Sequence, residues 1–403
     1  MSTPAAVDSD ITRWQRLALI AGVAGVAITA VGMVYPDTDI RDHAFRAWLV
    51  AFCFSIGIAL GSLVVLMLQY LTGGEWGYIL RRPLEAAAST LPLMAVLYLP
   101  IAFGLPILYE WANPSAVEES VNLQHKALYL NTQFAWIRAA IYFVIWCGLT
   151  WMLVSRSRAQ DTRKDPAIHR TCETISAPGL VLYVLTITFA SIDWAMSLEP
   201  EWYSTIYGAM FGMGQVLSGF AFSIILLVLT SKSPEVERVL SGNNLRDLGS
   251  LMLAFVMVWA YLSFSQFLLI WSGNLPEEVP WYIYRLKDGW QYLGLLLVVF
   301  HFALPFALLL STDVKRNRGR LATVAGLVLV MRVVDLLWLI VPAFHHHKEA
   351  VAIPILYRFI YLAAIVGLTG LFVAYTLFNL RKAPLVAAYK PDAEGAGHGA
   401  VAH

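Results

Sequence analysis

The sequence predicts an all-α integral membrane protein of about ten transmembrane helices. Three observations carry that expectation. Of 403 residues, 59% are hydrophobic and only 14% are charged, against roughly a quarter charged in soluble domains. The apolar residues fall into ten runs, each near the roughly 20 residues a helix needs to cross the hydrocarbon core. The lysines and arginines alternate sides along those runs.

Taken in order, residues 1–15 are polar with mixed charge and read as a cytoplasmic N-terminal segment. The ten-helix domain then occupies 16–380. Its first run, at about 16–34, is followed by no small-residue cleavage site and reads as a retained span. The second, at about 45–70, carries the pair Gly57 and Gly61, a spacing that lets two helices approach closely. The third, at about 84–108, contains Pro92, Pro100 and Pro106. These predict kinks whose freed carbonyls neighbouring groups must satisfy. Spans four to six lie at about 133–155, 178–197 and 205–230, the last with a second pair, Gly208 and Gly212. Ordinary packing inside one bundle is the commoner reason for such pairs.

The seventh span, at about 247–272, organises the outer surface. Its apolar run holds the polar pair Ser265 and Gln266 and breaks at Gly273-Asn274-Leu275-Pro276. It then presents Glu277 and Glu278, followed by the aromatic group Trp281, Tyr282 and Tyr284. Such aromatics read first as interfacial anchors and second as a docking surface. With Trp202, the residues Glu277, Glu278, Trp281 and Tyr282 are therefore candidates for partner contact. Spans eight to ten lie at about 290–311, 321–342 and 355–379, and residues 381–403 read as a flexible cytoplasmic tail, Gly/Ala-rich at its end.

One set of connections holds Arg13, Arg16, Arg81, Arg82, Arg156, Arg158, Arg163, Lys164, Arg170, Lys232, Arg238, Arg246, the cluster from Lys315 to Arg320, Arg381, Lys382 and Lys390. The other holds only Arg41, Arg46, Lys126, Arg285, Lys287 and Lys348. Positive charge favours the cytoplasmic side, so both termini are expected there. The 253–285 stretch then exits on the periplasmic face of an inner membrane.

The chemistry-bearing residues are few. The three cysteines are dispersed, with no paired spacing for an iron–sulfur cluster or zinc. Of nine histidines only His301 lies well inside a span, so paired axial haem ligands are not expected. His345, His346 and His347 sit at an outer span end, where a solvated loop is the commoner reading than a metal site. No phosphate-binding glycine loop, nucleophile elbow or metalloprotease helix occurs, and no basic patch points to nucleic acid. Ionisable groups inside spans are costly and raise functional hypotheses. His301, Arg332 and Asp335 lie near the middle of spans eight and nine, the last two three residues apart and on one helix face. Arg138 and Asp193 each lie about five residues in from the outer ends of consecutive antiparallel spans, about 6–8 Å deep at 1.5 Å per residue. They are expected to pair. With Gln266, these residues are candidates for a proton path. The alternative is neutral ion pairs that fix helix register, and such pairs add little net stability over apolar replacements.

Two long stretches carry a resemblance. Residues 191–208, SIDWAMSLEPEWYSTIYG, match a DW-x-MSL-x-P-x-W-x-STI-x-G signature. Residues 264–278, FSQFLLIWSGNLPEE, followed by Trp281-Tyr282, match a second. Together they resemble the F-type membrane subunit of alternative complex III, a bacterial quinol:cytochrome c oxidoreductase, within the wider NrfD/polysulfide-reductase-C-like superfamily. The resemblance implies ten helices, with spans two to five and six to nine as two four-helix bundles and two peripheral helices. It implies no redox cofactor in this chain and no catalysis by this chain alone. Haem c and iron–sulfur clusters are expected in partners: a periplasmic iron–sulfur subunit and c-type cytochrome subunits. A homologous ten-helix membrane subunit is expected alongside as the better candidate for the quinol site. A terminal oxidase is a further partner the resemblance allows. Asp193 falls in the first signature and Ser265 and Gln266 in the second, whereas His301, Arg332 and Asp335 lie outside both. The competing readings are a quinol-binding anchor, an independent secondary transporter and a purely structural subunit. The transporter ranks low because Gly and Pro breaks fall mainly at span ends.

Overall fold

The computed structural model describes residues 5–344 and 355–389. Among the described residues there is no strand, and ten helices are long and apolar enough to cross a membrane. They are α1 (Ser9–Met33), α2 (Thr38–Thr72), α3 (Glu75–Phe103), α4 (Thr132–Arg163), α5 (Pro166–Leu198), α6 (Tyr207–Leu229), α7 (Gly242–Gly273), α8 (Trp290–Leu310), α9 (Arg318–Phe344) and α10 (Tyr357–Leu380). Each expected span is present. Several run past the apolar stretch because polar residues continue the helix to a capping side chain. The Asn131 carboxamide accepts from the Phe134 amide at 2.8 Å at the start of α4, and the Asp165 carboxylate accepts from that of Ala167 at 2.8 Å at the start of α5. At the other end of α7, Asn274 takes a left-handed conformation (φ 46°) and stops the helix.

The proline-rich span breaks before Pro92 and Pro106, two of the three expected places. Pro92 cannot donate to the Ala88 carbonyl, and the helix breaks at Ser89 and Thr90. The two hydroxyls turn back, Ser89 to the Glu85 carbonyl and Thr90 to that of Ala87, each at 2.7 Å. Pro100 is carried inside the second half without a break.

The centre of the molecule is α2. Its apolar window is entirely buried, in keeping with a helix hydrophobic all round. It packs against α1, α3, α5, α6, α9 and α10. Where it crosses α6 the backbones touch. A Cβ on Gly61 would lie 1.8 Å from the Gln215 carbonyl oxygen, and one on Gly219 would lie 2.3 Å from the Ser62 nitrogen. The pair Gly208 and Gly212 instead faces Thr188 and Ile187 of α5. Both expected glycine pairs therefore serve packing within the chain. A third small-residue crossing joins the first and last spans, with Gly22 and Gly25 of α1 against Gly367 and Gly370 of α10. The His43 ring of α2 stacks on Tyr357 of α10 at 4.0 Å.

Two sequence expectations are corrected. Arg81 and Arg82 do not lie in a connection. They stand inside α3, 1% and 2% exposed, because the helix begins at Glu75, before the apolar run, and packs this first stretch against α2, α6 and α10. The stretch after α10 is seated as far as Tyr389, with Leu385 and Ala387 buried. The histidine triplet 345–347 and residues 390–403 lie outside the described residues.

Candidate functional site

Three polar groupings stand in the spans and at the span ends near residues 199–204 and 281–285. The first is the expected pair of α4 and α5. The Arg138 guanidinium grips Asp193 with its side edge, Nε to Oδ2 at 2.9 Å and Nη2 to Oδ1 at 2.8 Å. The Tyr142 hydroxyl donates to the same Oδ2 at 2.9 Å. The remaining arm, Nη1, donates to the Tyr129 carbonyl at 2.7 Å, and the guanidinium lies over the Tyr129 ring at 3.9 Å. Both groups are buried. Antiparallel neighbours with charges at equal depth leave little else for either side chain to bond.

The second grouping joins the two stretches that carried the resemblance. The Ser204 hydroxyl donates to Gln266 Oε1 at 2.7 Å. Trp202 stacks on Trp281 at 4.8 Å with the planes 16° apart. Arg285, fully buried, holds Glu199 through Nη2 to Oε2 at 2.8 Å and donates to the carbonyls of Trp281 and Leu339 at 2.9 and 2.8 Å. Its guanidinium also lies 3.6 Å from the Trp281 ring centroid. Sequence reasoning left Arg285 in an outer loop. The signal that finds it is Glu199 in the other stretch, an acid needing a cation.

This lock corrects the docking reading of the aromatics. Trp202, Trp281 and Tyr282 are 5%, 3% and 7% exposed. They are spent on internal packing, Tyr282 against Phe267 and Trp281. Burial pushes the Tyr282 phenol above its ordinary value, and it does the same to Tyr109. Glu277 stays exposed and Glu278 is half-buried. Gln266 belongs to the lock and joins neither ionisable cluster.

The third grouping is central. The π-helical stretch Leu297–Ala303 of α8 carries His301, fully buried, toward α7 and α9. Such stretches often mark functional positions. The His301 ring meets Trp259 edge-on at 4.2 Å, and both its nitrogens lack a hydrogen-bond partner. Arg332 pairs with Asp335 on α9, and Trp259 lies beside that carboxylate. Room for the guanidinium comes from Gly214 of α6, where a Cβ would fall 2.2 Å from its central carbon. His301, Arg332 and Asp335 are thus gathered as expected, with Trp259 as the residue the sequence did not flag. The grouping pairs a carboxylate with a fixed cation and sets an unbonded imidazole close by. That is a set able to hold and release a proton. Among the described residues no three His, Cys, Asp or Glu side chains converge as a metal site. Comparison of the chain with protein-family models gives no match, and neither does comparison with curated proteins.

Proposed function

We propose that this chain is a membrane subunit of a bacterial quinol:cytochrome c oxidoreductase of the alternative complex III type. It scaffolds the complex, takes part in proton movement coupled to quinol oxidation, and leaves electron transfer to haem c and iron–sulfur partners. The observation that supports this best is the outer-face lock. The two stretches that resemble the family's signatures are 62 residues apart at Ser204 and Gln266, yet they fold onto one another through stacked tryptophans and a buried ion pair. A joint of that kind gives a rigid outer surface, which a periplasmic partner needs.

The neighbour pattern favours the matching architecture. Helices α2 to α5 contact one another in a closed ring, as do α6 to α9, in keeping with two four-helix bundles flanked by α1 and α10. With the bias of Lys and Arg, this reading puts both termini in the cytoplasm and the lock in the periplasm. In the central grouping, Asp335 would take and release the proton, Arg332 would hold the carboxylate in place, and a free His301 nitrogen would be the next acceptor.

The test is a mild-detergent pull-down from native membranes, with mass spectrometry and a visible spectrum of the eluate. The proposal expects a second ten-span protein, an iron–sulfur protein and c-type haem bands. A colourless chain recovered alone refutes it. One observation favours a second reading, a quinol-binding anchor. A cavity of about 520 Å³ opens at the outer end between the 125–130 loop and 196–203, walled by Tyr129, Met196 and Trp202. That size suits a small ligand. A photoreactive quinone that labels 196–203 would favour it, and labelling confined to another subunit would dismiss it.

A further inference from the structure

A fourth polar grouping lies at the opposite end of α3, α4 and α5 from the lock, and the proposed function makes no use of it. Arg82 is shared by two carboxylates, Glu85 on its own helix and Asp161 on α4. Ser157 donates to the other oxygen of Glu85, and the Ala388 amide donates to the other oxygen of Asp161 at 3.1 Å. Each oxygen of both carboxylates thus has a partner, and Arg81 bonds neither acid. Its Nη1 makes one long bond, 3.5 Å, to the Tyr389 carbonyl. Its Nε and Nη2 have no partner at all, although the residue is 1% exposed.

That vacant side edge of the guanidinium is the edge with which Arg138 grips Asp193 in the same molecule. It matches the two oxygens of a carboxylate or phosphate. Around it stand the Tyr70 ring at 5.3 Å, whose hydroxyl is also unbonded, and the Tyr78 ring at 5.9 Å. A strap, residues 385–389, lies over the guanidinium. The strap is tied down by the Tyr78 hydroxyl donating to the Ala387 carbonyl at 2.8 Å and by the Asp161 bond. The charges here balance, two guanidiniums against two carboxylates, but the hydrogen bonds do not. Along the same ends of α4 and α5 the cations Arg156, Arg158, Arg163, Lys164 and Arg170 outnumber the acids Asp165 and Glu173.

We propose that Arg81 is the floor of an oxyanion site for a phosphate group, seated beneath the 385–389 strap, in which Nε and Nη2 take two phosphate oxygens and the Tyr70 hydroxyl a third. The phosphate takes the place of the long bond to Tyr389 and leaves the other strap ties intact. Its source is either free phosphate or the headgroup of an anionic lipid. The inference stands apart from the respiratory reading, since it needs neither partners nor turnover.

The test uses the full-length chain in nanodiscs. Inorganic phosphate is titrated calorimetrically into phosphatidylcholine discs, and retained lipid is counted by native mass spectrometry from discs containing phosphatidylglycerol. Saturable binding of one phosphate identifies the free anion, and one retained phosphatidylglycerol identifies the headgroup. Arg81→Lys keeps the charge but loses the two-pronged edge, and should weaken the bound species at least about tenfold. Tyr70→Phe, a milder change that keeps the ring, should weaken it about threefold. It carries the test if Arg81→Lys does not fold. No binding of either probe to the unmodified chain, or binding unchanged in both variants, overturns the site.

Discussion

Replacing Asp193 by Asn should destabilise the protein by about 3–5 kcal/mol, because it leaves the Arg138 guanidinium buried against a neutral amide. Thermal unfolding in detergent checks this. Adding Arg138→Met to the same chain should recover part of the loss, since removing both charges together costs less than stranding one. Asp335→Asn is a different experiment. This variant strands Arg332 as Asp193→Asn strands Arg138, so its yield should fall too. If the proposed relay is right, the complexes that do assemble lose charge translocation in proteoliposomes, and full translocation at normal turnover takes Asp335 out of the relay. Two phenols beyond the span ends give a pH dependence. Burial holds Tyr109 and Tyr282 neutral above the ordinary phenol value of 10. The folded state thus keeps protons that the unfolded chain gives up, so their contribution is complete below pH 10 and declines as pH rises beyond it. An alkaline denaturation series should show the midpoint falling there, less steeply in Tyr282→Phe. At this scale the sequence was legible where both partners of a contact lay in spans at comparable depth, as with Arg138 and Asp193, or on one helix face, as with Arg332 and Asp335. It was not legible where one partner sat in a polar stretch. Arg81, Arg82 and Arg285 each looked like a solvated loop cation. Arg82 is held by Asp161 and Arg285 by Glu199, partners distant in sequence, and Arg81 lies under the 385–389 strap with no acid of its own.

At the scale of elements, the crossing of α2 with α6 admits no side chain. Gly61→Leu puts atoms where the Gln215 carbonyl lies 1.8 Å from the first of them. Its helices must part, and the folded yield should collapse, whereas Gly57→Ala, with its nearest contact at 3.4 Å, should be tolerated. Comparing monodisperse yields of the two variants by size-exclusion chromatography checks the contrast. The number and positions of the ten helices could be read from apolar runs, because a membrane makes run length a physical requirement, whereas the polar turns that lengthen several of them could not. The π-helical turn at His301 could not. Leu297–Ala303 reads as an ordinary apolar helix, and the widened turn that packs against α7 and α9 shows only in the structure.

At the scale of the molecule, the chain closes on itself: the last span lies in the trough between the first two, glycine against glycine. A chain ended before α10 should leave the flanks of α1 and α2 bare. It should be cleared by membrane proteases to a small fraction of the full-length level, as pulse-chase labelling would show. That closure also sets a clock. A ribosome delivers helices in sequence, and α2 emerges second, yet its neighbours α6, α9 and α10 follow only much later. For most of synthesis the helix that ends up shielded on every side must wait among lipids, and its uniformly apolar surface suits that interval as well as the finished core. The shield around α2 is complete only once α10 has arrived.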